Sequence, residues 1–109
     1  LRDLQNPPHN FYYEAPTVVI LSADSDFRWS TLDAGIAVEN MALAAEGLGL
    51  GSLIIGCIYD ALRGEKKDYF AKALKFPANY RYEIAIAFGR KAMTKEPHTY
   101  NADAQITRL

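Results

Sequence analysis

Residues 33–56 read DAGIAVENMALAAEGLGLGSLIIG, a helical pattern followed by a glycine-rich break and a short apolar segment. In the helical part, apolar residues occupy more than one face. Several of them are alanines, whose small side chains let a neighbouring backbone approach the helix closely. A helix that is apolar on nearly every side is usually buried. The stretch therefore predicts a long central helix that needs cover all around.

The limits of this helix are indicated by capping and glycine signals. Ser30 and Asp33 match the capping-box pattern, a hydroxyl followed three residues later by a carboxylate. We therefore expect a helix over residues 32–48, with Asp33 as a capping carboxylate. Three alternating glycines at 47, 49 and 51 should end it, because glycine adopts positive φ without a steric penalty.

Strand patterns lie on both sides of the helix. The β-branched run TVVILSA predicts a strand over residues 17–23, covered on both faces, and residues 52–55 predict a short one. Residues 82–88, YEIAIAF, alternate large and small, so Tyr82 should share a face with Ile84 and Ile86. Residues 65–74 have the spacing of an amphipathic surface helix.

Composition limits the class of protein. With 109 residues, half of them hydrophobic, the chain fits one folded domain and is too apolar to be disordered. A net charge of −1 without a basic run argues against nucleic acid or an anionic membrane as a partner. No apolar stretch approaches the ~20 residues that span a bilayer. A single cysteine, Cys57, fits a reducing cytoplasm.

Residues that could carry chemistry are few. His9 and His98 stand in no metal-ligand spacing with Cys57 or a carboxylate, so we expect neither a metal site nor a catalytic set. We interpret Cys57 as a small buried filler rather than a nucleophile, and Asn40 as a structural polar contact. The backbone at residues 54–56, which follows the glycine break, would suit a flat aromatic ligand that is hydrogen-bonded around its rim.

Three segments in order carry a resemblance to a known family. They are FYYEAPTVVILSAD (residues 11–24), then DAGIAVENMALAAEGLGLGSLIIG (33–56), and then LKFPANYRYEIAIAFGR (74–90), and the match in order and spacing runs from about residue 11 to residue 89. In this order and spacing the sequence resembles the flavin-dependent nitroreductases. The resemblance implies an α+β fold with a central, mostly antiparallel sheet flanked by helices, and a long buried central helix.

The resemblance also implies a function. Nitroreductases bind FMN at a homodimer interface and use NAD(P)H to reduce acceptors such as nitro compounds and quinones. By this resemblance, Ile54, Ile55 and Gly56 would lie beside the isoalloxazine, with a backbone N–H directed at the N5 region. Basic residues after the last strand would contact the phosphate, and the candidates are Arg90, Lys91 and Lys95.

The sequence also departs from the family pattern. The arginine-rich element that grips the FMN phosphate and the Pro-Ser-x-x-Asn-x-Gln-Pro-Trp segment beside the flavin do not occur in it. We therefore expect residues 1–109 to be the C-terminal part of a longer nitroreductase-like domain and to be inactive alone. The alternative is a non-catalytic α/β binding or assembly module that keeps the scaffold without the flavin.

Overall fold

A computed structural model describes residues 2–3 and 9–107 of the chain. Over these residues the chain forms the following helices and strands: β1 (Arg2–Asp3), β2 (His9–Asn10), β3 (Thr17–Asp24), α1 (Ser30–Gly47), β4 (Leu50–Ile55), α2 (Tyr59–Arg63), α3 (Lys67–Ala73), β5 (Tyr80–Arg90) and α4 (Ala102–Gln105). The strand and helix predictions are confirmed in kind. Before the main sheet, β1 and β2 form a short antiparallel pair.

The main sheet has three strands in the order β3-β5-β4, and both neighbour pairs are antiparallel. The long strand β5 is central, so β4 is an edge strand in the described part of the chain. α1 packs on all three strands, while α2 and α3 pack on β5. The expected α+β architecture, an antiparallel sheet flanked by helices, is confirmed.

The main apolar cluster lies where α2 meets the sheet. Its buried members are Ile55, Ile58, Leu62, Tyr82, Ala85 and Ala87. The small side chains of Ala85 and Ala87 let this layer approach β5 closely. Ile86, which is completely buried, points to the opposite face of the strand, and we infer that this is the face that α1 covers.

α1 begins two residues earlier than predicted, and the capping-box interpretation is wrong. Ser30 is the first helical residue, the N-cap position is Trp29, and no side chain caps the helix. Ser30 is instead buried, and its Oγ donates a 2.7 Å hydrogen bond to the carbonyl oxygen of Asp24 at the end of β3. Asp33 is exposed in the first turn, where its negative charge complements the helix dipole.

The central helix is covered on one side only within the described chain. Ala34, Val38 and Ala45 are buried, whereas the large side chains of Leu32, Ile36 and Leu43 are 55–61% exposed. A shallow groove on the exposed side is lined by residues that include Trp29, Leu32, Gly35 and Ile36. Residues 2–3 and 9–107 therefore supply only part of the cover that the helix was expected to need.

A β-bulge changes the side of the sheet to which the first side chains of β5 point. Leu21 pairs with Ile84 but Ser22 pairs with Tyr82, so Glu83 is an extra residue on β5. Past this irregularity the alternation is reversed, and Tyr82 joins the cluster with Ala85 and Ala87. The prediction that Tyr82 shares a face with Ile84 and Ile86 is wrong for this reason.

The remaining turns and ends follow from local chemistry. Gly49, between α1 and β4, has a φ of +72°, which confirms that a glycine is needed for this turn. The Asn101 side chain caps α4 by accepting hydrogen bonds from the backbone N–H groups of Asp103 and Ala104. Among the described helices, none combines the length and apolar character that crossing a membrane requires.

Candidate functional site

The segment 54–56 ends the edge strand β4 and emerges at the surface. Ile54 is 44% exposed and Gly56 is exposed, whereas the Ile55 side chain is only 2% exposed and belongs to the core. A flat ligand at this edge can therefore contact the Ile54 side chain and the peptide groups around Gly56. Of Ile55, it can contact only the backbone.

The backbone of Gly56 leaves space at this edge. Its φ lies outside the left-handed region, and a Cβ added to it would meet no atom within 4 Å. Glycine is thus not required at position 56 by the fold of the described chain. The open volume beside it is available to a ligand.

The segment is held from beneath by buried groups. Tyr82 Oη donates a 3.1 Å hydrogen bond to the carbonyl oxygen of Ile55, and the Tyr82 residue is 1% exposed. The carbonyl oxygen of Gly56 accepts from the Tyr59 N–H at 3.0 Å, which starts α2. Ile58, completely buried, anchors the turn between them.

The Tyr82 hydroxyl is a permanent donor at physiological pH. Burial raises the pKa of Tyr82 to about 12, with smaller contributions from Tyr12 and Cys57 and an opposing one from the Ala85 N–H. A neutral phenol keeps its proton, so its hydrogen bond to Ile55 persists over the range in which enzymes work.

The basic candidates lie at the other end of the β4–β5 pair. Ile55 is opposite Ala85 and Leu50 is opposite Arg90, so five residues, or about 17 Å, separate the two ends. Lys91 forms an ion pair with Glu46, with Nζ 2.7 Å from Oε2. Arg90 and Lys95 are exposed and form no ion pair within the described part of the chain.

The predicted residues thus occupy two ends of one edge. Ile54, Ile55 and Gly56 are contiguous at the first end, Arg90 and Lys91 stand together at the second, and Lys95 lies beyond it in the C-terminal segment. The buried-filler interpretation of Cys57 is wrong, because Cys57 is an exposed free cysteine directly after Gly56. Asn40 is also exposed in the described chain, so its interpretation as a structural polar contact stays a prediction.

Sequence reasoning missed one residue of this site, Tyr82. The available signal was a hydroxyl-bearing side chain at the start of an otherwise apolar strand, since a buried hydroxyl needs a partner. Its face could not be read from the alternation because of the bulge at Glu83. In the described residues, no group of three or more His, Cys, Asp or Glu side chains is placed to hold a metal ion.

Comparison with known proteins identifies relatives of this fold. Residues 2–90 match the model of the nitroreductase family. No curated protein sequence matches the chain. A nitroreductase with bound FMN from Desulfitobacterium hafniense DCB-2 superposes with a TM-score of 0.80 and 30% identity, over 91% of this chain and 53% of that one.

Two further structures give similar results. A nitroreductase with bound FMN from Bacteroides fragilis NCTC 9343 has a TM-score of 0.82 and 29% identity, over 96% of this chain and 57% of that one. An FMN-dependent nitroreductase from Clostridium difficile R20291 has a TM-score of 0.62 and 32% identity, over 86% and 54%. The chain spans slightly more than half the length of each of these three relatives.

Proposed function

The chain belongs to the nitroreductase family, and from this premise we propose that it forms part of an FMN-dependent oxidoreductase. In the proposed reaction NAD(P)H is the electron donor, and a nitro compound, a quinone or a similar acceptor is reduced. The observation that carries the proposal is the likeness to FMN-bound nitroreductases at about 30% identity over more than nine-tenths of this chain.

The residues at the edge of β4 fit an FMN molecule. Open space beside Gly56 and the half-exposed Ile54 side chain provide an apolar border with peptide groups in it, as an isoalloxazine ring requires. Arg90 lies at the far end of the same strand pair, and an anionic phosphate fits a cation there. The ring and the phosphate of FMN are likewise at opposite ends of an extended ribityl chain.

Each residue then has a distinct role. Gly56 directs its backbone N–H at the N5 region of the ring, Ile54 covers the ring with its side chain, and Ile55 contributes its backbone. Arg90, with Lys91 and Lys95 nearby in sequence, binds the phosphate. Bound FMN supplies two-electron transfer from NAD(P)H to the acceptor, so the protein needs no acid–base set of its own.

The exposed side of α1 supports assembly as a homodimer. Leu32, Ile36 and Leu43 form an apolar surface along one helix, and such a surface is usually covered by protein. In the proposal a second subunit and the other part of the nitroreductase-like domain provide this cover. The single cysteine suits a cytoplasmic location, which is also part of the proposal.

The test is to purify the full-length protein and record its visible spectrum before and after addition of FMN. We expect the absorption bands of a bound flavin, and oxidation of NADH or NADPH when a nitroaromatic or a quinone is added. A colourless protein that takes up no FMN would overturn the proposal and favour the non-catalytic binding or assembly module.

A further inference from the structure

The contact between Tyr82 and Ile55 joins the core to the candidate flavin edge. Tyr82 Oη lies 3.1 Å from the Ile55 carbonyl oxygen, and Ile55 immediately precedes Gly56. A phenylalanine would fill the same apolar space, so the hydroxyl is not needed for packing. Its role has to be sought in the peptide group that it contacts.

The position of this hydroxyl depends on the β-bulge. Glu83 is the extra residue on β5, and it turns Tyr82 onto the face that carries Ala85 and Ala87. The backbone of Tyr82 is fixed as well, because Arg63 Nη1 donates to its carbonyl oxygen at 3.1 Å. The tyrosine is therefore a rigid support beneath the end of β4.

Peptide planarity carries the effect of this support to Gly56. The Ile55 carbonyl and the Gly56 N–H belong to one trans peptide, in which they point in opposite directions. β5, which bears Tyr82, is the neighbour of β4 within the described sheet. A carbonyl turned toward the buried Tyr82 hydroxyl thus leaves the Gly56 N–H pointing away from the core, on the side where Gly56 is exposed.

We propose that Tyr82 is a positioning residue that orients the Gly56 N–H toward N5 of FMN, an inference that rests on the proposed function. The hydrogen bond to the carbonyl also polarises the peptide and makes its N–H a better donor. N5 has a lone pair in oxidised FMN and carries a proton in the two-electron-reduced form. A donor aimed at N5 therefore stabilises the oxidised form selectively.

The test compares Tyr82→Phe with wild type in the full-length protein. We measure the FMN midpoint potential and the dissociation constants of oxidised and reduced FMN. In the variant the Gly56 N–H is no longer held toward N5. Loss of that hydrogen bond, if it is of ordinary strength, should weaken binding of oxidised FMN by up to roughly tenfold and leave binding of reduced FMN unaffected. By linkage, a tenfold change raises the midpoint potential by about 30 mV.

A matched control separates this effect from loss of any hydroxyl. Tyr69 is 69% exposed on α3, and Tyr69→Phe should change neither the potential nor the binding of either form. A merely structural role for Tyr82 would weaken both forms equally and leave the potential unchanged, and that result would overturn the inference.

Two further outcomes are decisive. If Tyr82→Phe does not fold, site-specific 3-fluorotyrosine at position 82 keeps the hydroxyl and makes it a stronger donor. The potential should then fall below that of wild type, and an unchanged potential contradicts the inference. A full-length wild type that binds no FMN overturns the proposed function together with this inference, whereas an FMN-binding wild type with an unresponsive potential overturns the inference alone.

Discussion

Lys91 Nζ lies 2.7 Å from Glu46 Oε2 and ties the residue after β5 to the last turn of α1. Both side chains are substantially exposed, and ion pairs of this kind stabilise a fold by about 0–1 kcal/mol. The contact nevertheless occupies Lys91, whereas Arg90 forms no ion pair in the described part of the chain. Two neighbouring cations that the sequence presents as equivalent are therefore different in the structure.

We expect Arg90→Ala to weaken FMN binding more than Lys91→Ala in the full-length protein. A charge-assisted hydrogen bond to a phosphate contributes about 1.5–3 kcal/mol, so its loss should raise the dissociation constant roughly 10- to 100-fold. Flavin fluorescence titration measures this, with Lys66→Ala on the exposed surface as the control. An unchanged affinity in Arg90→Ala would remove Arg90 from the phosphate site.

Gly56→Val should weaken FMN binding without unfolding the protein. A Cβ at this position meets nothing within 4 Å, so the melting temperature should stay close to that of wild type. The branched side chain would instead occupy the space at the ring edge, and Gly56→Ala should have a smaller effect. Titration of FMN into the three proteins tests the order, and equal affinities would exclude Gly56 from the site.

Leu43→Glu should dissociate or unfold the proposed dimer. Leu43 is 61% exposed on α1. Burying one leucine in the interface contributes roughly 1.5–3 kcal/mol to association, whereas burying a glutamate there would be unfavourable. Tyr69→Glu, on the exposed side of α3, is the matched control and should leave the molar mass measured by light scattering at that of the dimer. A monomeric wild type in light scattering would show that the dimer proposal is wrong.

Residues 1–109 alone should not reduce a nitroaromatic with NAD(P)H, even with excess FMN. The arginine-rich phosphate element of the family is not in this sequence, and each charge-assisted contact it supplies is worth about 1.5–3 kcal/mol. Loss of NADH absorbance is followed against a blank of FMN without protein. Turnover clearly above the blank would refute the expectation that this part is an incomplete site.

Tyr82 should make stability depend on alkaline pH. Its pKa is about 12 in the fold against an ordinary value of 10.0, so the unfolded chain loses the proton first as pH rises. The contribution is therefore fully present below about pH 10 and is lost between pH 10 and 12. Tyr82→Phe should reduce the slope of the free energy of unfolding against pH over this interval. An identical slope in the variant and the wild type would contradict the raised pKa of Tyr82.

Much of the fold follows from local patterns. The β-branched run of β3, the helical pattern of α1 and the alternation in β5 indicate their elements because each depends on the chain's own periodicity. Gly49 was also recognisable as one of the turn glycines, since positive φ strongly favours this residue. The end of β4 could be proposed as a candidate site because it follows this glycine break in the sequence.

The rest depends on contacts between distant residues. The bulge at Glu83 exists only in the pairing of β5 with β3, so no pattern within β5 could show that Tyr82 faces Ile55. Ser30 lies within the helix, and its Oγ donates to the carbonyl oxygen of Asp24 on β3, a partner 6 residues away that no local pattern indicates. Because α1 is apolar on nearly every side, its hydrophobicity could not show which side of it the sheet covers.

The half-exposed Trp29 gives the chain an intrinsic optical reporter. It is the single tryptophan of the sequence, lies at the N-cap of α1 in the groove with Leu32 and Ile36, and has the Arg28 guanidinium 4.2 Å from its ring centre. Covering this side of the helix would dehydrate the indole and shift its emission to shorter wavelength. Assembly on α1 can therefore be followed by fluorescence without a label.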